Sequence, residues 1–243
     1  MIFRYIADNI TNKPTDMLIQ ISNILTKDQA GELSRTLENA DWSDGRETAG
    51  YLSSRVKANE QLSERHPLAL KFGDMILEGL GRNQQFMSAA LPLKIVPPLF
   101  NRYRDGQAYG NHVDGGVRPV AGSAMRVRTD LSATLFLSDP TDYDGGELLV
   151  EDNFGAQRIK LAAGDMVLYP GTSLHQVRPV TRGTRIAAFF WIQSMVRGNE
   201  QRGLLHELDS VVQSLGGRGA EWHDEALRLA GIYHNLLRFW SDT

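Results

Sequence analysis

Between about Leu93 and Gln193 the sequence breaks into short β-rich runs separated by Gly, Pro and Asp: "LKIVPPLFNRY", "LSATLFLS", "GELLVED", "QRIKLA", "DMVLYP" and "TRIAAFFWIQ". Several short strands at roughly even spacing predict an antiparallel sandwich or barrel rather than βαβ units. Helical patterns flank this region. Thr26 and Gln29 stand in capping-box spacing, followed by Ala30, Leu33 and Leu37 on one helical face. A second helix is expected from Pro67, with Leu68, Phe72, Met75 and Ile76 as its buried stripe and Gly81 as a stop signal. After Arg197 two helices are expected, divided by Gly216-Gly217-Arg218-Gly219.

Composition narrows the chemistry. The chain has 243 residues, 42% apolar and 23% charged, enough for a substantial core. Lys plus Arg (26) against Asp plus Glu (29) gives a formal charge of -3, so no global basic field favours nucleic acid as a partner. No apolar run approaches the length of a membrane span, and the start lacks the continuous apolar core of a signal peptide. We therefore expect a cytoplasmic protein with no membrane partner. With no cysteine, disulfides, thiolate metal sites and Cys nucleophiles are excluded. Any metal must be held by His and carboxylate.

The segment "YGNHVDGG" places His112 and Asp114 two residues apart between glycines. On a strand such a pair points to one face, about 6.6 Å apart along it, and can chelate one ion. A turn with a hydrogen-bonded histidine is the competing reading. His66 lies at a helix start, and His206, His223 and His234 lie in the helical tail, where solvation or local packing accounts for them. His175, in "YPGTSLHQVRPV", opens a β-like run inside the strand-rich region. Two imidazoles and one carboxylate describe the facial arrangement of non-haem Fe(II) oxygenases. The same three ligands would also bind Zn²⁺, Mn²⁺ or Ni²⁺, although the helical H-E-x-x-H motif of hydrolytic zinc sites is absent.

Arg185 heads a strand face continued by Ala187, Phe189 and Trp191. An arginine there is costly unless paired. In a jelly roll the chain crosses between facing sheets, which would bring Arg185 and His175 into one cavity, with the guanidinium holding the far end of a dicarboxylate. A surface arginine at a strand start is the plainer alternative. The loop "GGVRPVAGSAMRVRTD" carries Arg118, Arg126 and Arg128, which suit an anionic substrate or a peptide, or else a solvated edge with Asp130 beside it.

Together "YRDGQAYGNHVD", "DYDGGELLVED" and "AAGDMVLYPGTSLHQVRPVTRGTRIAAFFWIQS" resemble the Fe(II)- and 2-oxoglutarate-dependent dioxygenases of the prolyl 4-hydroxylase superfamily. "ADWSDGRETAG" followed by "FMSAALPLKIVPPLFNRY" is similar to its bacterial PKHD-type hydroxylases, some associated with iron uptake. The likeness runs from about Met17 to the C-terminus. It implies His112, Asp114 and His175 as iron ligands, Arg185 on the distal carboxylate of 2-oxoglutarate, and L-ascorbate as a candidate cofactor. Tyr103 stands where relatives place a hydroxyl against that carboxylate, with a core tyrosine as the alternative. Gly145 and Gly146 read as hairpin glycines, not ligands.

The implied fold is mainly β with flanking helices: a double-stranded β-helix (jelly-roll) core, N-terminal helices and a C-terminal helical extension. The expected layout is an N-terminal extension over residues 1–16, unstructured or additional to the native chain, a helical and β support region over 17–92, a jelly-roll core over 93–196 and a helical region over 197–243. The implied reaction is hydroxylation of an unidentified small molecule or peptide, with release of succinate and CO2. An iron- and 2-oxoglutarate-binding protein of iron homeostasis that hydroxylates nothing is the alternative. The tail stripe Ala226, Leu229, Tyr233, Leu236 and Trp240 needs cover from its own chain or from another subunit. We expect a homo-oligomer.

Overall fold

The computed structural model describes residues 18–48, 50–152 and 155–243; the expected extension at residues 1–16 lies outside them. The chain divides into two compact units, one of residues 18–195 and one containing residues 196–243.

The larger unit runs, in chain order, through β1 (Ile19–Ile21), α1 (Lys27–Glu38), β2 (Trp42–Asp44), β3 (Lys57–Ala58), β4 (Glu60–Leu62), α2 (Pro67–Arg82), α3 (Gln84–Ala90), β5 (Pro92–Ile95), β6 (Leu99–Tyr103), β7 (Ala108–His112), β8 (Val117–Pro119) and β9 (Arg126–Arg128). It continues through β10 (Leu131–Phe136), β11 (Asp144–Gly145), β12 (Leu148–Asp152), β13 (Gly155–Ile159), β14 (Met166–Pro170), β15 (His175–Val177), β16 (Val180–Arg182) and β17 (Arg185–Ser194). One antiparallel sheet has the order β1-β14-β10-β17-β6-β4-β2, with β5 also on β17. The other is β13-β12-β15-β7-β3. From β6 onward the chain alternates between the two sheets: β6, β10, β14 and β17 lie in the first, β7, β12 and β15 in the second. That alternation is the jelly roll.

Period-two alternation decides which side chains enter the space between the sheets. Tyr103 is the Cα partner of Arg185 on β6 and β17, while Ser132 and Thr134 of β10 pair with Trp191 and Phe189 and with Tyr169 and Val167 of β14. These residues share one face of the first sheet, which accounts for the polar Ser132 and Thr134 in an otherwise apolar strand. Tyr103, Phe136, Tyr143, Leu148, Val150, Val167, Tyr169 and Val177 pack together as the core around the site.

The expected first helix is present with its capping box: Thr26 caps α1, Gln29 reciprocates, and Ala30, Leu33 and Leu37 are buried. In α2 the expected stripe is half right. Phe72 and Ile76 are buried, together with Ala69, Gly73, Gly79 and Leu80, whereas Leu68 and Met75 are half-buried. Gly81 does not stop the helix, which runs on to Arg82. Asn83 ends it and immediately caps α3 through its side chain, which accepts from Phe86 N. His66 is the α2 N-cap, its Nδ1 accepting from Leu68 N at 3.1 Å.

In the smaller unit, α4 (Asn199–Gly216) packs along α5 (His223–Trp240). Of the α5 stripe, Ala226 is buried and Leu229, Tyr233, Leu236 and Trp240 are half-buried. The fully buried Arg202 donates to the carbonyls of Val196 and Arg197 at 2.6 and 2.8 Å. Val196 also bridges to Ser241, and Arg197 pairs with Asp242 at 2.9 Å, tying the two ends of this unit together.

Candidate metal centre and co-substrate pocket

β7 and β15 are antiparallel neighbours with His112 and His175 directly opposed, so both imidazoles project from the same face of the second sheet. Their ring centroids are 4.1 Å apart. Asp114 arrives differently from the expected strand pair: β7 ends at His112, and Asp114 lies in the coil beyond it. Its carboxylate is nevertheless brought to the imidazoles, with Oδ2 3.8 Å from His175 Nε2. One ligand atom from each of the three residues lies within 4.8 Å of the others.

Both histidines are held by the same local device. His112 Nδ1 lies 2.8 Å from the Gly110 carbonyl and His175 Nδ1 lies 3.0 Å from that of Ser173. A carbonyl only accepts, so in the neutral rings Nδ1 carries the proton and Nε2 keeps its lone pair. That is the outer support a metal-binding imidazole needs. Tyr109 stacks on His112 at 3.5 Å between centroids, and Tyr169 meets the edge of His175 at 5.2 Å. Ser132 Oγ donates to Asp114 Oδ2 at 2.6 Å.

Burial, with the His175 ring next in importance, pulls the His112 imidazole down to about 4. It is therefore neutral near pH 7, the form that binds metal. Between about pH 6.5 and pH 4 the unfolded chain binds a proton that the folded chain refuses, so stability rises with pH in that window. Melting curves in chelator are expected to show the metal-free protein losing stability as pH falls through it, with a shallower loss in His112→Gln.

Arg185 is 1% exposed. Its guanidinium carbon lies 5.4 Å from the Tyr103 ring centroid and 5.2 Å from that of Phe136. The Tyr143 hydroxyl is close enough to feel its charge, yet among the described residues none of the three guanidinium nitrogens has a partner in hydrogen-bonding geometry. Close approach to this side chain depends on Gly146: with φ +67, a Cβ there would meet Val180, Tyr143 and Arg185 at 2.8, 2.9 and 3.0 Å. Tyr103 is 1% exposed and its hydroxyl is pushed up to about 12, chiefly by burial, so it stays protonated and able to donate.

A cavity of ≈ 110 Å³ lies over His112, Asp114 and His175, lined also by Tyr103, Asn59, Asn101, Thr134, Tyr169 and Trp191. Its lining includes Tyr103 but not Arg185. Two imidazole nitrogens and a carboxylate oxygen converging there, with a buried guanidinium that has no acceptor among the described residues behind Tyr103, fit a divalent metal and a dicarboxylate.

Sequence reasoning missed Ser132, Tyr109, Lys57, Asn59 and Asn101. For Ser132 a signal existed, since it alternates with apolar residues in "LSATLFLS". Of the basic loop, Arg118 lines the cavity, Arg128 is paired with Asp130 at 2.6 Å, and Arg126 is exposed.

Comparison with known proteins agrees with this geometry. Residues 98–193 match the 2OG-Fe(II) oxygenase superfamily, and residues 199–242 match the PKHD-type hydroxylase C-terminal domain. A PKHD-type hydroxylase of Bordetella pertussis is 59% identical over 226 residues, covering 93% of this chain and 100% of the relative. One from Saccharophagus degradans is 54% identical over 227 residues, with the same coverage of 93% and 100%. A Trichoplax adhaerens prolyl hydroxylase, solved with a hypoxia inducible factor peptide fragment, shares the fold at a TM-score of 0.51 and 15% identity, covering 79% of this chain and 87% of that one. The jelly roll, the His-Asp-His cluster and full-length identity of this order lead to one conclusion: the chain belongs to the PKHD-type hydroxylases, within the Fe(II)- and 2-oxoglutarate-dependent oxygenases.

Proposed function

We propose that His112, Asp114 and His175 hold Fe(II), that Arg185 and Tyr103 hold the distal carboxylate of 2-oxoglutarate, and that the enzyme hydroxylates a C–H bond of a small-molecule or peptide substrate. The observation that carries this reading is the buried guanidinium without an acceptor beside a three-ligand cluster. With metal and co-substrate bound, the centre couples decarboxylation of 2-oxoglutarate and reduction of O2 to insertion of one oxygen atom into substrate, leaving succinate and CO2. The chain's own residues do the rest. Gly110 and Ser173 fix the imidazole tautomers, Ser132 orients the Asp114 carboxylate, and the core packed around the cavity keeps it dry. Because the cavity stops at Tyr103, binding the dicarboxylate requires the side chains in front of Arg185 to shift slightly.

Anaerobic titration with Fe(II) and 2-oxoglutarate, followed by O2-dependent succinate formation, tests the proposal; no succinate from the metal-loaded protein would favour the non-catalytic binder. The names of the relatives, all hydroxylases, speak against that alternative. Ser132→Ala is expected to weaken metal binding about 10–100-fold, the usual cost of losing an outer-shell hydrogen bond. An unchanged metal titration in that variant would remove Ser132 from the site.

Self-association of the tail is supported by apolar surface that the α4–α5 pair leaves outside: Phe239 is 83% exposed, Ile232 51% and Leu204 49%. Light scattering at micromolar concentration is expected to give a multiple of the 27.1 kDa chain mass; a monomer mass ends the idea. The described residues contain no helix long and apolar enough to cross a membrane. A cytoplasmic location remains part of this reading.

A further inference from the structure

The segment "DYDGGELL" is folded against Arg185. Gly145 and Gly146 both have positive φ, +73 and +67, a backbone that glycine adopts at little steric cost, and Gly146 N donates to the Pro179 carbonyl at 3.1 Å. This turn lays Tyr143 beside the arginine stem: a Cβ on Gly146 would meet Tyr143 Cε2 and Arg185 Cδ at 2.9 and 3.0 Å. Tyr143 is fully buried. Lys160 pins it, with Nζ donating to the Tyr143 carbonyl at 2.7 Å and lying 4.0 Å from the centroid of its ring. The next residue, Asp144, is held by Arg182 at 2.7 Å.

A tyrosine buried this firmly ordinarily finds a partner for its O–H. The Tyr143 hydroxyl has none among the described residues. It lies near the Arg185 guanidinium without alignment for a hydrogen bond, and a guanidinium only donates, so the hydroxyl proton finds no acceptor there. Burial pushes the hydroxyl above the usual phenol range, so near pH 7 it keeps that proton. Two adjacent buried groups thus have protons to give and no acceptor. A carboxylate fits the deficit, because its two oxygens offer about four lone-pair sites. The guanidinium fork takes two of them and the Tyr103 hydroxyl a third. The fourth is left for Tyr143.

We propose that Tyr143 is a third ligand of the co-substrate, its hydroxyl donating to the distal carboxylate of 2-oxoglutarate alongside Arg185 and Tyr103. This rests on the co-substrate assignment made above. It also gives Tyr143 a role that core packing does not require, since a phenylalanine would fill the same apolar cluster without leaving a hydroxyl unpartnered. The shift that opens the cavity towards Arg185 reaches Tyr143 as well, because the two side chains share the space over Gly146.

The test uses the full chain loaded with Mn(II), titrated calorimetrically with 2-oxoglutarate and with 2-oxopentanoate, which has the same carbon chain without the distal carboxylate. Melting of the metal-free protein is the second readout. Tyr143→Phe is expected to bind 2-oxoglutarate about tenfold or more weakly, the scale of one hydrogen bond to a charged acceptor. The same variant should bind 2-oxopentanoate as the wild type does. Its metal-free form should melt no lower than wild type, because no hydrogen bond is lost there. A purely structural tyrosine would instead weaken both acids and lower the melting temperature. Unchanged 2-oxoglutarate affinity, equal weakening of both acids, or weakening accompanied by a lower melting temperature overturns the proposal, as does a variant that fails to fold. Should 2-oxopentanoate bind too weakly to titrate, the melting comparison decides. If the wild type does not bind 2-oxoglutarate, or if Arg185→Met binds it as well as the wild type, the co-substrate assignment itself fails, and this proposal with it.

Discussion

Replacing Arg185 with methionine is expected to abolish 2-oxoglutarate binding at ordinary concentrations and to raise the stability of the empty protein. The two effects have opposite sign for one reason. The guanidinium is 1% exposed and among the described residues none of its nitrogens has a hydrogen-bond partner, so without the co-substrate the fold bears the desolvation of a cation with little in return. A methionine fills much of the same space beside Tyr103 and Phe136 without that cost. When the dicarboxylate is present the balance reverses, because a charge-assisted pair in a dry site is lost. A loss of about 2–5 kcal/mol corresponds to a weakening of roughly 30-fold to several thousand-fold. Calorimetric titration of 2-oxoglutarate into metal-loaded protein and melting of the metal-free protein give the two numbers. Unchanged affinity for 2-oxoglutarate would detach Arg185 from the co-substrate, and a lowered melting temperature of the empty protein would show that its charge is better paired than the structure indicates.

Why Arg185 could be singled out from sequence, and Lys57 could not, is a matter of background. "TRIAAFFWIQ" is apolar apart from its ends, so a cation on the face of Ala187, Phe189 and Trp191 stands out. "VKANEQLS" is polar at five of its eight positions, so one more cation does not stand out. Its alternate residues Lys57, Asn59 and Gln61 are 7%, 4% and 2% exposed, the reverse of what polarity suggests. The physical cause is the crossing of the chain from the second sheet to the first between β3 and β4, which turns a polar stripe inward over the site. Nothing local in the sequence encodes that crossing.

The His112, Asp114 and His175 cluster was legible for a reason that proved partly incidental. His112 and Asp114 were expected to face one way as alternate residues of a strand, yet Asp114 lies past the strand end and is oriented by Ser132 instead. The opposition of His112 and His175 across β7 and β15 is a long-range register that spacing could not supply. The same holds for Tyr103 beside Arg185, which followed from family resemblance and not from pattern. At the helices the local signals were stronger: the capping box at Thr26 worked as read, while Gly81 failed as a stop because Asn83, two residues on, ends α2 and caps α3.

Asp114→Ala is expected to reduce succinate formation to background and to remove the stabilisation that metal confers. Among the three clustered residues Asp114 supplies the one negative charge; without it the two imidazoles offer a dication no formal neutralisation, and Ser132 loses its acceptor at 2.6 Å. Metal that binds only the folded chain stabilises it in proportion to the logarithm of its concentration over Kd, so that a hundredfold excess over Kd is worth about 2.7 kcal/mol. In the wild-type protein, anaerobic Fe(II) or Mn(II) should therefore raise the melting temperature in a concentration-dependent way. In Asp114→Ala the curves with and without metal should coincide. The metal-free variant should itself remain folded, because Asp114 lies at the cavity and not within the apolar core. A variant that still shows the full metal-dependent rise would mean that the ion sits elsewhere, whereas one that loses the rise but keeps turnover would separate the site of binding from the site of chemistry.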